Sequence, residues 1–204
     1  MEIRDRILDA AKKIYAQHGF RGATTRLIAI EAGVNEVTLF RTFGSKAALF
    51  DALMQGQVAQ SPIPELPDNP VDPEHEMTVW CASVLAHLRE NGAMIRTSFG
   101  EIEERPEAAV CMCEGPNCAA MLLTDYVLRL RSIGLASSDG DIQTAISMLM
   151  SALFGDAISR DLMPGAFPQP IEEAPAKYVR VFLRALGVSP ALRRAESGRA
   201  VVGD

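Results

Sequence analysis

Four threonines, two arginines, a glutamate and a lysine crowd one stretch of the chain, at Thr24, Thr25, Arg26, Glu36, Thr38, Arg41, Thr42 and Lys46. No H-E-x-x-H, G-x-S-x-G or G-x-x-x-x-G-K-[ST] pattern accompanies them, so the chemistry they suggest is recognition rather than catalysis, and no enzyme is expected. The apolar residues between them explain how they would be displayed. Ile28, Ala29, Ala32, Val34, Leu39 and Phe43 can close a small core between two helices joined at Gly33, the small alanines letting the helices approach closely. Glu36, Val37, Thr38, Arg41 and Thr42 then face outward on a short second helix, the geometry with which a helix N-terminus enters a DNA major groove.

The elements that must hold this pair are legible around it. Ile3, Ile7, Ala11 and Ile14 recur at helical spacing, with Leu8 and Tyr15 widening the face, and Gly19 supplies a stop. Thr24 is placed to cap a second helix that runs to Ala32, and Gly33 permits the tight turn. Asn35 caps a third helix, and a fourth begins near Ser45 and carries Leu49, Leu53 and Val58. None of the twelve prolines precedes Pro62, and five fall from Pro62 to Pro73, which marks a connection. Beyond it the pattern predicts helices at about 75–91, 93–104, 116–133, 140–162 and 173–186, with no strand. The expected class is all-α, with a DNA-binding head at 1–54, a Pro-rich connection at 55–74, a larger helical domain at 75–189 and a tail at 190–204.

Charge is unevenly spread along the 204 residues. Residues 1–54 carry eight Lys/Arg against six Asp/Glu, and the remainder twelve against twenty, so a mildly basic head sits on an acidic body. No apolar run of about 18–20 residues is evident, and the N-terminus lacks the apolar region of a secretory signal. The expectation is a cytoplasmic protein without a membrane partner, whose four cysteines are reduced thiols. No cofactor and no metal site are expected.

The stretch resembles the N-terminal domain of the TetR family of transcriptional repressors. The slots of that pattern are filled by Thr24, Ile28-Ala29, Ala32-Gly33-Val34, Thr38-Leu39-Phe40, Phe43, Ser45-Lys46 and Leu49. The resemblance implies that Thr24, Thr25 and Lys46 hold phosphates. It also implies that Arg26, Glu36, Val37, Thr38 and Thr42 address bases: Arg26 at guanine N7/O6, Glu36 at cytosine N4, Val37 at a thymine methyl. Arg41 serves base or backbone. Two slots depart from the pattern. Phe40 replaces a tyrosine whose hydroxyl touches phosphate, and Thr42 is shorter than the usual Tyr or His.

A palindromic double-stranded operator implies a homodimer. The expected interface combines Ser147, Ser151, Gly155 and Ser159, a strip of small side chains, with Tyr178, Phe182 and Leu186; the same strip can instead pack within one subunit. A small apolar effector is expected among Trp80, Met94, Phe99, Met112, Met121, Leu122, Tyr126 and Met148, residues that can equally be plain core. An alternative effector chemistry lies in Cys111, Cys113 and Cys118, as soft-metal ligands or an oxidation switch, against free thiols at a helix junction. The acid-rich run from Glu101 to Glu107 reads as a solvated surface. The expected function is a repressor released by its effector, with activation also open.

Overall fold

The computed structural model describes residues 2–59, 64–103 and 106–188, with side chains excepted at 57–59 and 106–114. The described elements are α1 (Ile3–Gly22), α2 (Thr25–Ala32), α3 (Glu36–Phe43), α4 (Lys46–Ala59), α5 (Pro73–Glu90), α6 (Gly92–Glu101), α7 (Pro106–Ser132), α8 (Ile142–Ser159) and α9 (Ala174–Ala185). A 3-10 turn at Pro164–Ala166 lies between the last two, and no strand occurs among the described residues. The all-α expectation holds. The largest boundary difference is at α7, which starts at Pro106, not 116, and carries Pro116 inside it. A proline removes one backbone donor and crowds one carbonyl, at a cost of about 3 kcal/mol. Here the helical turns continue on both sides of it, so the Gly115-Pro116 pair is no boundary.

The chain forms two compact units that do not follow the Pro-rich division. Met1–Pro62 groups with Ala86–Asn117, and Ile63–Leu85 with Cys118–Asp204. The N-terminal unit has a core of Ile7, Ala11, Ile14 and Tyr15 from α1, Ile28 and Ala29 from α2, Leu39 from α3, and Leu49, Phe50 and Leu53 from α4. Met94 of α6 joins that core, which is why α6 belongs here. Rings reinforce it, with Phe50 set 5.3 Å from Tyr15 and 5.2 Å from Phe20. Glu101, expected on a solvated surface, is half-buried at the end of α6 and accepts from the Phe20 N–H at 2.7 Å and the Tyr15 hydroxyl at 3.1 Å.

In the C-terminal unit α8 and α9 pack against each other and are joined through the 3-10 turn. Ile146, Leu149 and Leu153 of α8 are buried with Val179, Phe182 and Leu183 of α9 and the adjoining Leu186. By length and composition α8 is apolar enough to cross a bilayer, against the expectation that no such run exists. It nevertheless carries the fully buried Asp156. Arg160 grips both carboxylate oxygens at 2.6 Å, and Tyr178 donates to Oδ2 at 2.6 Å. The remaining Arg160 donors reach the carbonyls of Phe167 at 3.2 Å and Gln169 at 2.6 Å, so the pair also ties down the connection to α9. Burial, and then Asp156, push the Tyr178 hydroxyl up to about 12, so it stays a donor.

A buried charge pair is costly to form and more costly to break. Asp156→Ala strands Arg160, and the expected loss is about 3–5 kcal/mol of unfolding free energy. Urea melts followed by circular dichroism measure it; a parent-like midpoint would remove the network from the account of stability.

Candidate nucleic-acid interface

The geometry of the α2–α3 pair begins at its turn. Gly33 adopts φ 64° and ψ 37°, and its N–H returns to the last turn of α2. A Cβ there would meet Arg6 Nη2 at 2.8 Å, because Arg6 reaches from α1 to the carbonyls of Ala32 at 2.6 Å and Gly33 at 3.1 Å. Glycine thus serves both the left-handed backbone and the close approach of a cation to the end of α2. Caps set the two helix starts. The Thr24 hydroxyl accepts from the Leu27 N–H at 3.3 Å, and Asn35 Oδ1 accepts from the Val37 N–H at 2.9 Å. Ser45 does the same for Ala48 at the head of α4, at 3.0 Å.

These constraints present a definite surface. Arg26, Val37, Phe40, Arg41 and Thr42 are exposed, Val37 at 72% of its full area. Thr24 is exposed as well, while Thr25, Glu36, Thr38 and Lys46 are half-buried. Five of the polar groups expected to meet DNA are engaged within the chain, Thr24 as the cap of α2 among them. The Thr25 hydroxyl donates to Glu36 Oε1 at 2.5 Å, bridging the starts of α2 and α3. The Thr42 hydroxyl donates back to the Thr38 carbonyl at 2.8 Å. Lys46 donates to the Phe20 carbonyl and stands 4.4 Å above the Phe20 ring. Arg4 lies 5.5 Å over the ring of Phe43. The surface is thus a helix pair with two arginines and an apolar patch of Val37 and Phe40.

The other expected sites are scattered by comparison. Trp80 and Tyr126 are buried in the C-terminal unit, Met94 in the N-terminal core, whereas Phe99, Met121, Leu122 and Met148 are exposed. The Met112 side chain lies outside the described residues. The other seven therefore divide among two cores and solvent, because a stripe of apolar residues at helical spacing carries no mark of which surface it meets. Tyr126 donates to Glu76 Oε2 at 2.5 Å, and burial is the first reason its hydroxyl is shifted upward. The Trp80 indole N–H is buried with no hydrogen-bond partner among the described residues.

On α8, Ser147 and Ser151 are exposed and Gly155 and Ser159 half-buried. Tyr178 is half-buried, while Phe182 and Leu186 are core residues of the same subunit and offer no surface to a partner. Val179, Phe182, Leu183 and Leu186 follow the helical period, so α9 turns that face inward. Of the cysteines, Cys118 is exposed, and burial pushes the Cys81 thiol up to about 12, far from a reactive thiolate. The side chains of Cys111 and Cys113 lie outside the described residues. No cluster of three or more metal-binding side chains occurs among the described residues.

Sequence reasoning passed over Arg6 and Ser98, placed Tyr15 only on an apolar helix face and read Glu101 as solvated surface. The signal for Tyr15 was present, since a tyrosine on a buried helix face needs a partner for its hydroxyl. The partner itself came from residues more than 80 positions away.

A capped helix-turn-helix on an all-helical body defines a class, the bacterial one-component regulators. Residues 7–53 match the model described as bacterial regulatory proteins, tetR family. The HTH-type transcriptional regulator YvkB of Bacillus subtilis (strain 168) is 30% identical over 155 residues, covering 76% of this chain and 81% of that protein. The HTH-type transcriptional repressor AcnR of Corynebacterium efficiens is 37% identical over 57 residues, 28% of this chain and 30% of that protein. Among solved structures, SmeT, the repressor of the Stenotrophomonas maltophilia multidrug efflux pump SmeDEF, shares the fold with a TM-score of 0.70 at 19% identity, covering 93% of this chain and 92% of that one. The chain belongs to the tetR family of transcriptional regulators and is a DNA-binding regulator.

Proposed function

We propose that this regulator is a repressor that grips a palindromic double-stranded operator as a homodimer and lets go when a small apolar molecule enters its C-terminal unit. The observation that carries this reading is the exposed surface of α2 and α3: Arg26, Val37, Phe40, Arg41 and Thr42 face outward from a pair of helices fixed at Gly33. Arg26 and Arg41 are the groups with reach for guanine edges or phosphates, and Val37 with the Thr42 methyl suits thymine methyls. Thr24, Thr25 and Lys46 sit at helix starts, where backbone N–H groups and a cation favour phosphate. Lys46 and Thr25 hold intramolecular acceptors in this structure, so DNA phosphates must compete with the Phe20 carbonyl and with Glu36. Family membership and the name of AcnR as a repressor support the direction of control.

Dimerisation uses the outward side of α8 and α9, where Ser147, Met148, Ser151 and Val181 are exposed together with the half-buried Gly155 and Ser159. Small side chains there let two copies of α8 approach closely. Effector recognition centres on Trp80. Its indole N–H has no partner among the described residues, and an apolar molecule bearing a hydrogen-bond acceptor satisfies it. Binding then shifts the population toward a released state only through tighter affinity for that state. The protein works in the cytoplasm, where operator DNA is found.

Duplexes selected from a random pool by the purified chain supply the test of operator binding. Arg26→Ala is expected to cost about 1–3 kcal/mol of operator affinity and to relax the preference at one G·C pair; unchanged affinity and preference, read by fluorescence anisotropy, remove Arg26 from the readout. Ser151→Arg is expected to convert the dimer to a monomer in light scattering and to weaken operator binding by more than about tenfold, since a single half-site contact remains; an intact dimer would place the interface elsewhere. Trp80 is the one tryptophan of the chain and is 1% exposed, so its emission is expected to be blue-shifted. Acceptor-bearing apolar compounds that release the operator should quench that emission with the same midpoint; release without any change in emission would move the effector away from Trp80.

A further inference from the structure

Gly19 breaks α1 with φ 66° and ψ −179°, three residues before the helix ends. In an unbroken helix the Phe20 N–H would bond the Ala16 carbonyl, four residues back. Here both groups are taken by α6. Glu101 Oε1 accepts from the Phe20 N–H at 2.7 Å, and the Thr97 hydroxyl donates to the Ala16 carbonyl at 3.2 Å. Glu101 Oε2 accepts from the Tyr15 hydroxyl at 3.1 Å, and that hydroxyl lies 2.9 Å from Ser98 Oγ, whose own proton completes the chain of bonds. Tyr15 and Ser98 are both buried. A Cβ on residue 19 would lie 2.3 Å from Glu101 Oε1, so the bare glycine is the cradle in which this carboxylate sits.

The other side of the same residue faces DNA chemistry. The Phe20 carbonyl accepts from Lys46, the first residue of α4, and the Phe20 ring packs under that ammonium. The following bonds, Ala23 N–H to the Gly19 carbonyl at 2.9 Å and Thr24 N–H to the Gly22 carbonyl at 2.8 Å, set the path into α2. Phe20 is thus a single residue whose N–H is held by α6 and whose carbonyl is held by α4.

We propose that Glu101 is a positioning residue for operator binding: by capping the break in α1 it fixes the Phe20 residue on which Lys46 and the entry to α2 are registered. Removal of the carboxylate frees a half-buried N–H and lets the Gly19–Thr24 segment move, and with it the phosphate-facing starts of α2 and α4. The inference rests on the operator-binding reading, and amide exchange at Phe20 tests the clamp separately from DNA.

The experiment compares the full-length parent with Glu101→Ala, Glu101→Asp and Glu101→Gln. Three readouts are taken: Phe20 amide exchange, affinity for the parent's selected duplex, and the slope of that affinity with salt. Glu101→Ala is expected to speed Phe20 exchange about tenfold or more and to weaken duplex binding by a similar factor, as loss of a charge-assisted hydrogen bond does. The salt slope should fall by about one, the signature of a displaced phosphate contact, which a general loss of stability would not produce. Glu101→Gln keeps an acceptor of the same length and should restore exchange and affinity to near the parent. Should Glu101→Ala not fold, Glu101→Asp, which keeps the charge but withdraws it by one methylene, should show the same losses in smaller measure. Folded Ala or Asp variants with parental duplex affinity and salt slope overturn the proposal, as does a Gln variant no better than Ala. Unchanged Phe20 exchange overturns the clamp whatever the duplex data show, and a parent that selects no duplex overturns the operator-binding reading instead.

Discussion

Leu39 is the one residue of the eight-residue helix α3 that is buried, and the outward surface of the α2–α3 pair depends on that anchor. A helix of two turns does not persist alone in water, because nucleation is unfavourable and few backbone bonds follow it. α3 therefore exists only while Leu39 sits in the core built by α1, α2 and α4. The consequence is economical for recognition. With one side chain turned in and Phe43 partly buried, the other residues of α3 are exposed or half-buried, and the caps at Thr24 and Asn35 determine where that surface starts.

The polar groups around the pair are seldom idle. Thr25 holds Glu36, Lys46 holds Phe20, and Arg6 holds the end of α2. Each of these bonds is worth little by itself against water. Thr25–Glu36 ties the start of α2 to the start of α3, while Arg6 and Lys46 tie α1 to the end of α2 and to the start of α4, and preorganisation of this kind lowers the ordering cost of binding. The two charges at the edges, Arg26 and Arg41, stay in solvent, where they can steer a polyanion.

The C-terminal unit solves a different problem. Its helices α8 and α9 each turn one side inward and leave the other exposed. Asp156 and Arg160 settle which side is which: a buried ion pair with Tyr178 can only face inward, so Ser147, Met148 and Ser151 face out. The residues of α9 obey the same division, with Phe182 and Leu186 turned to the core.

Short-range information in the chain determined much of this. Apolar period, the caps Thr24 and Asn35 and the turn at Gly33 were all legible, because each acts through neighbours within four residues; Gly19, read as a stop, is a break after which α1 resumes to Gly22. The class of protein followed from the α2–α3 slots for the same reason. Tertiary structure alone decided which polar groups are available and which are spent. Nothing local distinguishes Glu101, which closes a helix break 81 residues away, from the solvated acids beside it. Nor does helical spacing separate Trp80 and Tyr126, which are buried, from Met121 and Met148, which face solvent. Hydrophobic burial depends on what lies opposite a helix face, and that partner is chosen by the packing of elements distant in sequence.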